Sequence, residues 1–230
     1  MTCKEHTLVR EILSWLQDRY WSWLRNPSGP ASKFHGQVNE MYPAFPDTRL
    51  KDLLSDRLEF DSKNTCLYLE PINEGLGIVP VLSFSYKFKE KNKFDLRLQL
   101  ALFVLHEGNL AAIGCRFDPS EGPGTHDYYH AQMFREFHGG RALPCLPSCP
   151  PWLPISRPAF HLKADDPVTL LISMVISLYG IDRVQQEFRQ ATFANALKPY
   201  IDRLCPTVAV RENQPAAAGP TSQRGRKNRE

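Results

Sequence analysis

Two consecutive stretches in which apolar and polar side chains alternate constrain the fold of this chain more than any other feature. In residues 80–89 and 94–105, every second side chain is apolar and most of the intervening ones are polar or small. Such alternation is typical of antiparallel strands with one buried and one open face, because successive side chains point to opposite sides. The KEKN and HEGN segments that follow have the length of hairpin turns. The sequence therefore predicts an antiparallel meander.

The HEGN turn predicts a register for the second hairpin, with Leu105 opposite Leu110. Directly opposed residues share a face of the sheet. This register pairs apolar residues on one face: Leu98 with Phe117, Leu100 with Cys115, and Leu102 with Ile113. It pairs polar or small residues on the other: Arg97 with Asp118, Gln99 with Arg116, and Ala101 with Gly114. A slip of one residue would bring polar groups into the core.

A further strand is predicted over residues 126–134, after a turn at residues 119–125. Pairing Asp118 with His126 would place Tyr128 beside Arg116 and His130 beside Gly114. All these residues would then lie on the open face.

Helical patterns flank the predicted sheet. Before the meander, the expected elements are an amphipathic helix over residues 4–25, a loop over 31–46, a short helix over 47–58 and a strand over 65–70. After it, we expect an irregular Pro-rich segment over 138–164, a buried helix over 168–179 and a last amphipathic helix over 182–204. The buried helix begins at Asp165, Asp166 and Pro167. Acidic residues followed by Pro are typical of helix starts.

These patterns predict an α+β protein: an antiparallel β-meander of four to five strands with helices packed on one face. We expect residues 1–30 to form an amphipathic N-terminal helix and its end, residues 31–206 to form the α+β domain, and residues 207–230 to form a disordered basic tail.

Charge and composition narrow the partners and the compartment. Five basic and two acidic residues after position 210 account for the whole net charge of +3, so the rest of the chain shows no overall basic signature for nucleic acid. No signal-peptide pattern and no apolar run of transmembrane length occur, and the six Cys are scattered. We therefore expect a cytoplasmic protein with reduced thiols and no membrane partner.

The segment of residues 115–132 gathers the side chains with the most chemistry. The candidate catalytic residues are Arg116, Asp118, His126 and His130, and the candidate substrate-binding residues are Arg97, Gln99 and Tyr128. Two imidazoles suit general base and general acid roles in phosphodiester cleavage without a metal or other cofactor. An Arg side chain can bind a phosphate group, and an Asp side chain can orient an imidazole. The alternative is a polar sheet face with a salt bridge and solvated His.

A zinc site is a further alternative. It would use Cys145 and Cys149 with His126, His130 or His138, since two Cys at this spacing are compatible with zinc. The segment lacks a second Cys pair, and Pro residues crowd it.

Residues 98–130 resemble one known family. The run LALFVLHEGNLAAIGCRFD, followed by SEGPG and THDYYH, is similar to the TumE-type toxins of prokaryotic toxin–antitoxin pairs, which have a short meander ending in R-Y-D, a Gly-containing loop and a His cluster. Arg116, Phe117 and Asp118 match the R-Y-D element, and His126 matches the first His. Pro119 and Thr125 depart from the pattern, and the second His follows after four residues rather than two.

The resemblance implies a toxin-like or defence-associated effector that acts on RNA and has a neutralising antitoxin as partner. Together with the His, Arg and Asp cluster, it predicts a metal-independent ribonuclease. The alternatives are a non-catalytic interaction module that acts through the Trp-rich N-terminal helix, and a zinc-stabilised structural domain.

Overall fold

A computed structural model of the chain describes residues 4–47, 50–55, 57–62, 65–72, 77–90, 93–119, 129–134, 136–137, 141–144, 164 and 166–204. The helices are α1 (Lys4–Arg25), a 3₁₀ helix (Pro30–Lys33), α2 (His35–Met41), α3 (Leu50–Leu54), α4 (Pro167–Tyr179), α5 (Ile181–Gln190) and α6 (Ala194–Leu204). The strands are β1 (Glu59–Asp61), β2 (Leu67–Tyr68), β3 (Val79–Glu90), β4 (Lys93–His106), β5 (Asn109–Pro119), β6 (Tyr129–Phe134), β7 (Glu136–Phe137) and β8 (Arg141–Ala142).

The main sheet is antiparallel and confirms the α+β class. Its strands lie in the order β1-β3-β4-β5-β6, and β2 also pairs with β3, while β7 and β8 form a separate two-stranded sheet. Strands β3 to β6 are the predicted meander. The β4–β5 register is the predicted one, with Leu105 opposite Leu110 and Leu98 opposite Phe117.

The β5–β6 register differs from the prediction by four residues. The structure places Asp118 opposite His130, Arg116 opposite Gln132 and Gly114 opposite Phe134. The predicted pairing of Asp118 with His126 was therefore wrong, because the connection between the strands runs from Pro119 to Tyr129 and is longer than the turn assumed from the sequence. A shift by an even number of residues keeps every side chain on its predicted face.

One face of the sheet packs against helices, as predicted. Its apolar side chains from β3, β4 and β5 are buried in one cluster with residues of α1, α3, α4, α5 and α6, among them Leu13, Leu54, Leu171, Phe188 and Leu197. Helix α1 has the predicted bounds, and Leu8, Ile12 and Leu16 on its apolar face are at most 3% exposed. We call this cluster the first core, and α1 is part of it.

The opposite face is covered at one end, where the sequence predicted only a loop. Phe34 at the start of α2 and Val38 within it are buried against Val79 and Val81 of β3 and against Phe103 of β4. The residues 31–46 were expected to be a loop because two short helices carry too few residues to show a helical period. These buried residues form a second core, which lies on the face that was predicted to be open. Only the other end of that face stays polar.

Individual residues near the helix ends determine where α4, α5 and α6 begin or end. Asp166 caps α4, since its Oδ1 accepts a hydrogen bond from the backbone N–H of Thr169 at 2.8 Å. Gly180 ends α4 with a positive φ of 82°. The predicted single helix after it is two helices, because Ala191 adopts an extended conformation between α5 and α6.

An ion-pair network joins α1, α5 and the end of β2. Glu70 Oε2 contacts Arg19 Nη2 at 2.8 Å and Arg183 Nη2 at 2.6 Å, and Glu187 contacts the same two Arg side chains, each at 2.8 Å. The Tyr179 hydroxyl donates to the backbone carbonyl of Glu70 at 2.7 Å. Burial, together with the nearby Glu70, raises the pKa of Tyr179 above its usual value, so this hydroxyl stays a donor.

Among the described helices, no single one is both long and apolar enough to cross a membrane. Helices α4 and α5 meet the length and composition criteria only when taken together, and they are bent by 120° at their junction.

Candidate functional site

The uncovered part of the second face, which we call the polar end, is formed by rows of opposed residues. One row runs through Glu59, Lys87 and Asp95, the next through Asp61, Ser85 and Arg97, and a third through Ser83, Gln99, Arg116 and Gln132. Neighbouring rows are two residues apart along each strand, which corresponds to about 6.6 Å. Charges of both signs therefore alternate across this end of the sheet.

The boundary between the apolar and polar ends lies at one residue pair. Ser83 is 7% exposed, and its hydroxyl lies 2.8 Å from the hydroxyl of Ser62, which also accepts a hydrogen bond from the backbone N–H of Phe84 at 3.1 Å. Val81, two residues before Ser83, is fully buried in the second core. Val81 and Ser83 point to the same side of β3. The apolar end of this face, which α2 covers, therefore ends between these two residues.

Three of the predicted site residues lie together at the polar end. Gln99 on β4 is directly opposite Arg116 on β5, and both side chains are half-buried. Arg97, two residues from Gln99 on the same face, is exposed. The β3–β4 and β4–β5 registers place Arg97, Gln99 and Arg116 on one face of the sheet, with the two Arg residues on neighbouring rows.

The backbone register brings Asp118 and His130 to the same part of the sheet. They are directly opposed on β5 and β6. The pair Leu98–Phe117 places Arg97 on β4 beside Asp118 on β5, at the next position of the same register. Opposed residues of an antiparallel pair have Cα atoms about 4.5–5.5 Å apart. The row that begins at Asp61 and Arg97 therefore continues to Asp118 and His130.

Other predicted site residues fall outside the described residues. His126 and Tyr128 belong to this group, as do His138, Cys145 and Cys149 of the zinc alternative. Within the ranges that the structure describes, no three His, Cys, Asp or Glu side chains are grouped so that they could hold a metal ion.

A cleft of about 620 Å³ opens beside the row of Arg97. Its walls include Arg57, Glu59, Asp61, Lys87 and Asp95. The side chains of Phe60 and Tyr86, at the alternating positions, are buried in the first core. The guanidinium of Arg57 lies 5.7 Å from the ring centre of Phe60.

The contribution of β1 to this cleft was not predicted from the sequence. Glu59 and Asp61 alternate with the buried Phe60, but three residues are too few for a recognisable strand pattern. Lys87 and Asp95 were visible as polar positions of the meander, and their pairing follows from the β3–β4 register.

No protein-family model, no curated protein and no solved structure matches the chain. The resemblance of residues 98–130 to TumE-type toxins therefore stays a prediction from the sequence.

Proposed function

We propose that this chain is a toxin-like effector that cleaves RNA at the polar end of its sheet. The observation that carries the proposal is the β5–β6 register, which sets His130 opposite Asp118. In the adjacent row, Arg116 lies between Gln99 and Gln132. An imidazole, a carboxylate and a guanidinium at neighbouring positions are the groups that phosphodiester cleavage needs.

The proposed reaction is a transesterification within the RNA. One imidazole takes the proton of the ribose 2′-hydroxyl, and the 2′-oxygen forms a bond to phosphorus. The bond from phosphorus to the 5′-oxygen breaks, and this oxygen takes a proton from the second imidazole. The products are a 2′,3′-cyclic phosphate and a 5′-hydroxyl, so atoms and protons balance.

Each residue has a proposed role in this reaction. His130 and His126 carry the two protons, and Asp118 orients His130 and sets its tautomer. Arg116 binds the phosphate and stabilises the charge that develops on its oxygens, with Arg97 and Gln99 holding the neighbouring part of the substrate. Because Arg116 is half-buried, water screens its charge less than that of a fully exposed residue.

The interaction alternative receives less support. It requires the apolar face of α1 to be available to a partner, whereas that face packs into the first core, and Trp15, Trp21 and Trp23 are partly buried against the two cores.

The test compares wild type with His130→Ala in two assays: growth of a bacterial host after induced expression, and cleavage of a purified RNA in the presence of a chelator. We expect wild type to arrest growth and cleave RNA, and His130→Ala to lose at least about 100-fold of the cleavage rate. His35→Ala is the matched control, since His35 lies on α2 at the covered end of the same face.

Thermal unfolding of each variant verifies the fold. If His130→Ala retains the wild-type cleavage rate, or if wild type cleaves no RNA, the proposed function is wrong.

A further inference from the structure

A pair of buried hydroxyl groups lies at one end of the row that contains Arg116. Ser62 is 3% exposed, Ser83 is 7% exposed, and their Oγ atoms are 2.8 Å apart. Ser62 follows the last residue of β1, and its Oγ accepts a hydrogen bond from the backbone N–H of Phe84 at 3.1 Å. The backbone N–H of Ser62 donates to the carbonyl of Phe84 at 3.0 Å. Both the backbone and the side chain of Ser62 are therefore held against β3.

These contacts determine which of the two hydroxyl groups donates to the other. A hydroxyl group has one hydrogen to donate and two lone pairs that accept. The backbone N–H of Phe84 uses one lone pair of Ser62 Oγ. Donation from Ser62 to Ser83 gives the Ser62 hydrogen an acceptor, whereas the reverse direction leaves this buried hydrogen without one among the described residues. Ser62 therefore donates, and the hydroxyl hydrogen of Ser83 points to another acceptor.

The residue opposite Ser83 is Gln99, one of the residues proposed to bind the substrate. Gln99 is half-buried, and Arg116 is directly opposite it on the other side. Opposed residues have Cα atoms about 4.5–5.5 Å apart, so the Ser83 hydroxyl can reach the Gln99 amide. The oxygen and nitrogen ends of an amide have nearly the same shape, and the hydrogen-bond partners decide which end is presented where.

From this arrangement we infer that Ser62 and Ser83 are positioning residues for Gln99. The Ser83 hydroxyl donates to Gln99 Oε1, so that the Nε2 amino group of Gln99 is presented to the RNA backbone. The inference rests on the proposed function, because it assigns the polarity of the contact between Gln99 and the RNA. Phosphate groups offer only acceptors, so they can bind the amino end of the amide but not its carbonyl end.

Arg116 favours the same orientation of the Gln99 amide. A guanidinium group has only donors, whereas an amide oxygen has two lone pairs. Gln99 Oε1 can therefore accept from Ser83 on one side and face the guanidinium of Arg116 on the other. The opposite orientation would set the amino group of Gln99 between two donors.

The experiment is steady-state cleavage of a short RNA by wild type, Ser83→Ala, Gln99→Leu and the double variant Ser83→Ala/Gln99→Leu. We expect each single variant to raise KM about tenfold with kcat nearly unchanged, because each loses the hydrogen bond from Gln99 to a charged group of the bound RNA. The double variant should equal Gln99→Leu, since Ser83 acts only through Gln99. Ser83→Thr retains the hydroxyl group and should retain the wild-type KM.

The control is Ser177→Ala, which also removes one side-chain hydrogen bond, from Ser177 Oγ to the carbonyl of Ser173 at 2.8 Å on α4, and should not change KM. NMR spectroscopy tests the proposed bond without catalysis. The ¹³C signal of Gln99 Cδ, assigned by its absence from Gln99→Leu, should move upfield when Oε1 loses a donor. We expect this shift in Ser83→Ala, but neither in Ser83→Thr nor in Ser177→Ala.

A wild-type KM in Ser83→Ala, an unchanged Cδ signal in that variant, or a KM of the double variant about tenfold above that of Gln99→Leu would overturn the inference. Any of these results together with intact, His130-dependent RNA cleavage refutes the inference alone. The upfield Cδ shift in Ser83→Ala without any RNA cleavage by wild type refutes the proposed function and supports the orientation of Gln99 by Ser83.

Discussion

One buried histidine, His6, should make the packing of α1 in the core dependent on pH. His6 is 2% exposed and meets the rings of Tyr86 and Phe88 edge-on, with ring centres 5.0 and 5.1 Å away. Burial, and secondarily the charge of Arg10, lowers the pKa of His6 to about 4. The imidazole is therefore neutral in the folded protein at neutral pH.

This histidine should make the protein less stable in mild acid. In the unfolded chain His6 gains a proton as the pH falls below its ordinary pKa of 6.5, whereas in the folded protein it gains one only near pH 4. Between these values the unfolded state binds more protons, so the free energy of unfolding falls with falling pH, by about 3 kcal/mol in total. Urea unfolding of wild type and His6→Leu between pH 4 and 7 measures this contribution. Identical slopes for the two proteins would contradict it.

The residues of the candidate site differ in how well the sequence located them. Arg97, Gln99 and Arg116 were correctly grouped because the hairpin register decides their neighbours. His130 was placed four residues away from its position, since the length of the β5–β6 connection has no signature in side-chain alternation. Glu59 was missed because β1 is too short to show a period.

At the scale of elements, strand pairing was more predictable than helix ends and short helices. Alternation specifies the faces of β3, β4 and β5 because a one-residue error exposes apolar side chains. Helix α2 and the break between α5 and α6 depend on packing against distant parts of the chain, which single-sequence patterns do not contain. The ion-pair network around Glu70 joins three elements that are distant in the sequence: α1, α5 and the end of β2.

Removing the charge of Glu70 should loosen the contact of α1 and α5 with the end of β2. Glu70→Gln leaves Arg19 and Arg183 without one shared carboxylate, and we expect a loss of about 1–2 kcal/mol in the free energy of unfolding, because the group is partly buried and networked. The control is Asp202→Asn, which breaks the exposed Lys198–Asp202 pair on α6 and should cost at most about 0.5 kcal/mol. Urea unfolding at neutral pH compares them, and equal losses would refute the role of the network.

Considered as a whole, the described part of the molecule has two large cores that share the central strands, and a smaller cluster of Ile78, Val104 and Ala111. Leu82 and Leu100 belong to the first core, whereas Val81 and Ala101, their neighbours on β3 and β4, belong to the second. Alternation predicted the shared sheet, but it could not predict the second core, because most of the residues that cover it, such as Phe34 and Val38, come from short elements without a clear pattern. Damage to either core should therefore weaken both.

Unfolding should accordingly be a single transition. Leu13→Ala in the first core and Phe34→Ala in the second remove side chains that are fully buried, and each should cost about 2–5 kcal/mol. Circular dichroism, and fluorescence of the Trp residues against each core, should give one common midpoint in each variant. Trp15→Phe and the double variant Trp21→Phe/Trp23→Phe assign the fluorescence signal. Separate midpoints for the two cores would contradict this prediction.

The sharing of β3 and β4 between two cores also restricts how the length of this protein can change in evolution. Loss of a single residue at the start of β4, before Arg97, would exchange its two faces from that point on and move Arg97 toward the first core. Replacement of one side chain damages one contact, but such a deletion would damage both cores and the polar end at once. Changes in chain length should therefore be excluded from the central strands and accumulate in the connections between elements.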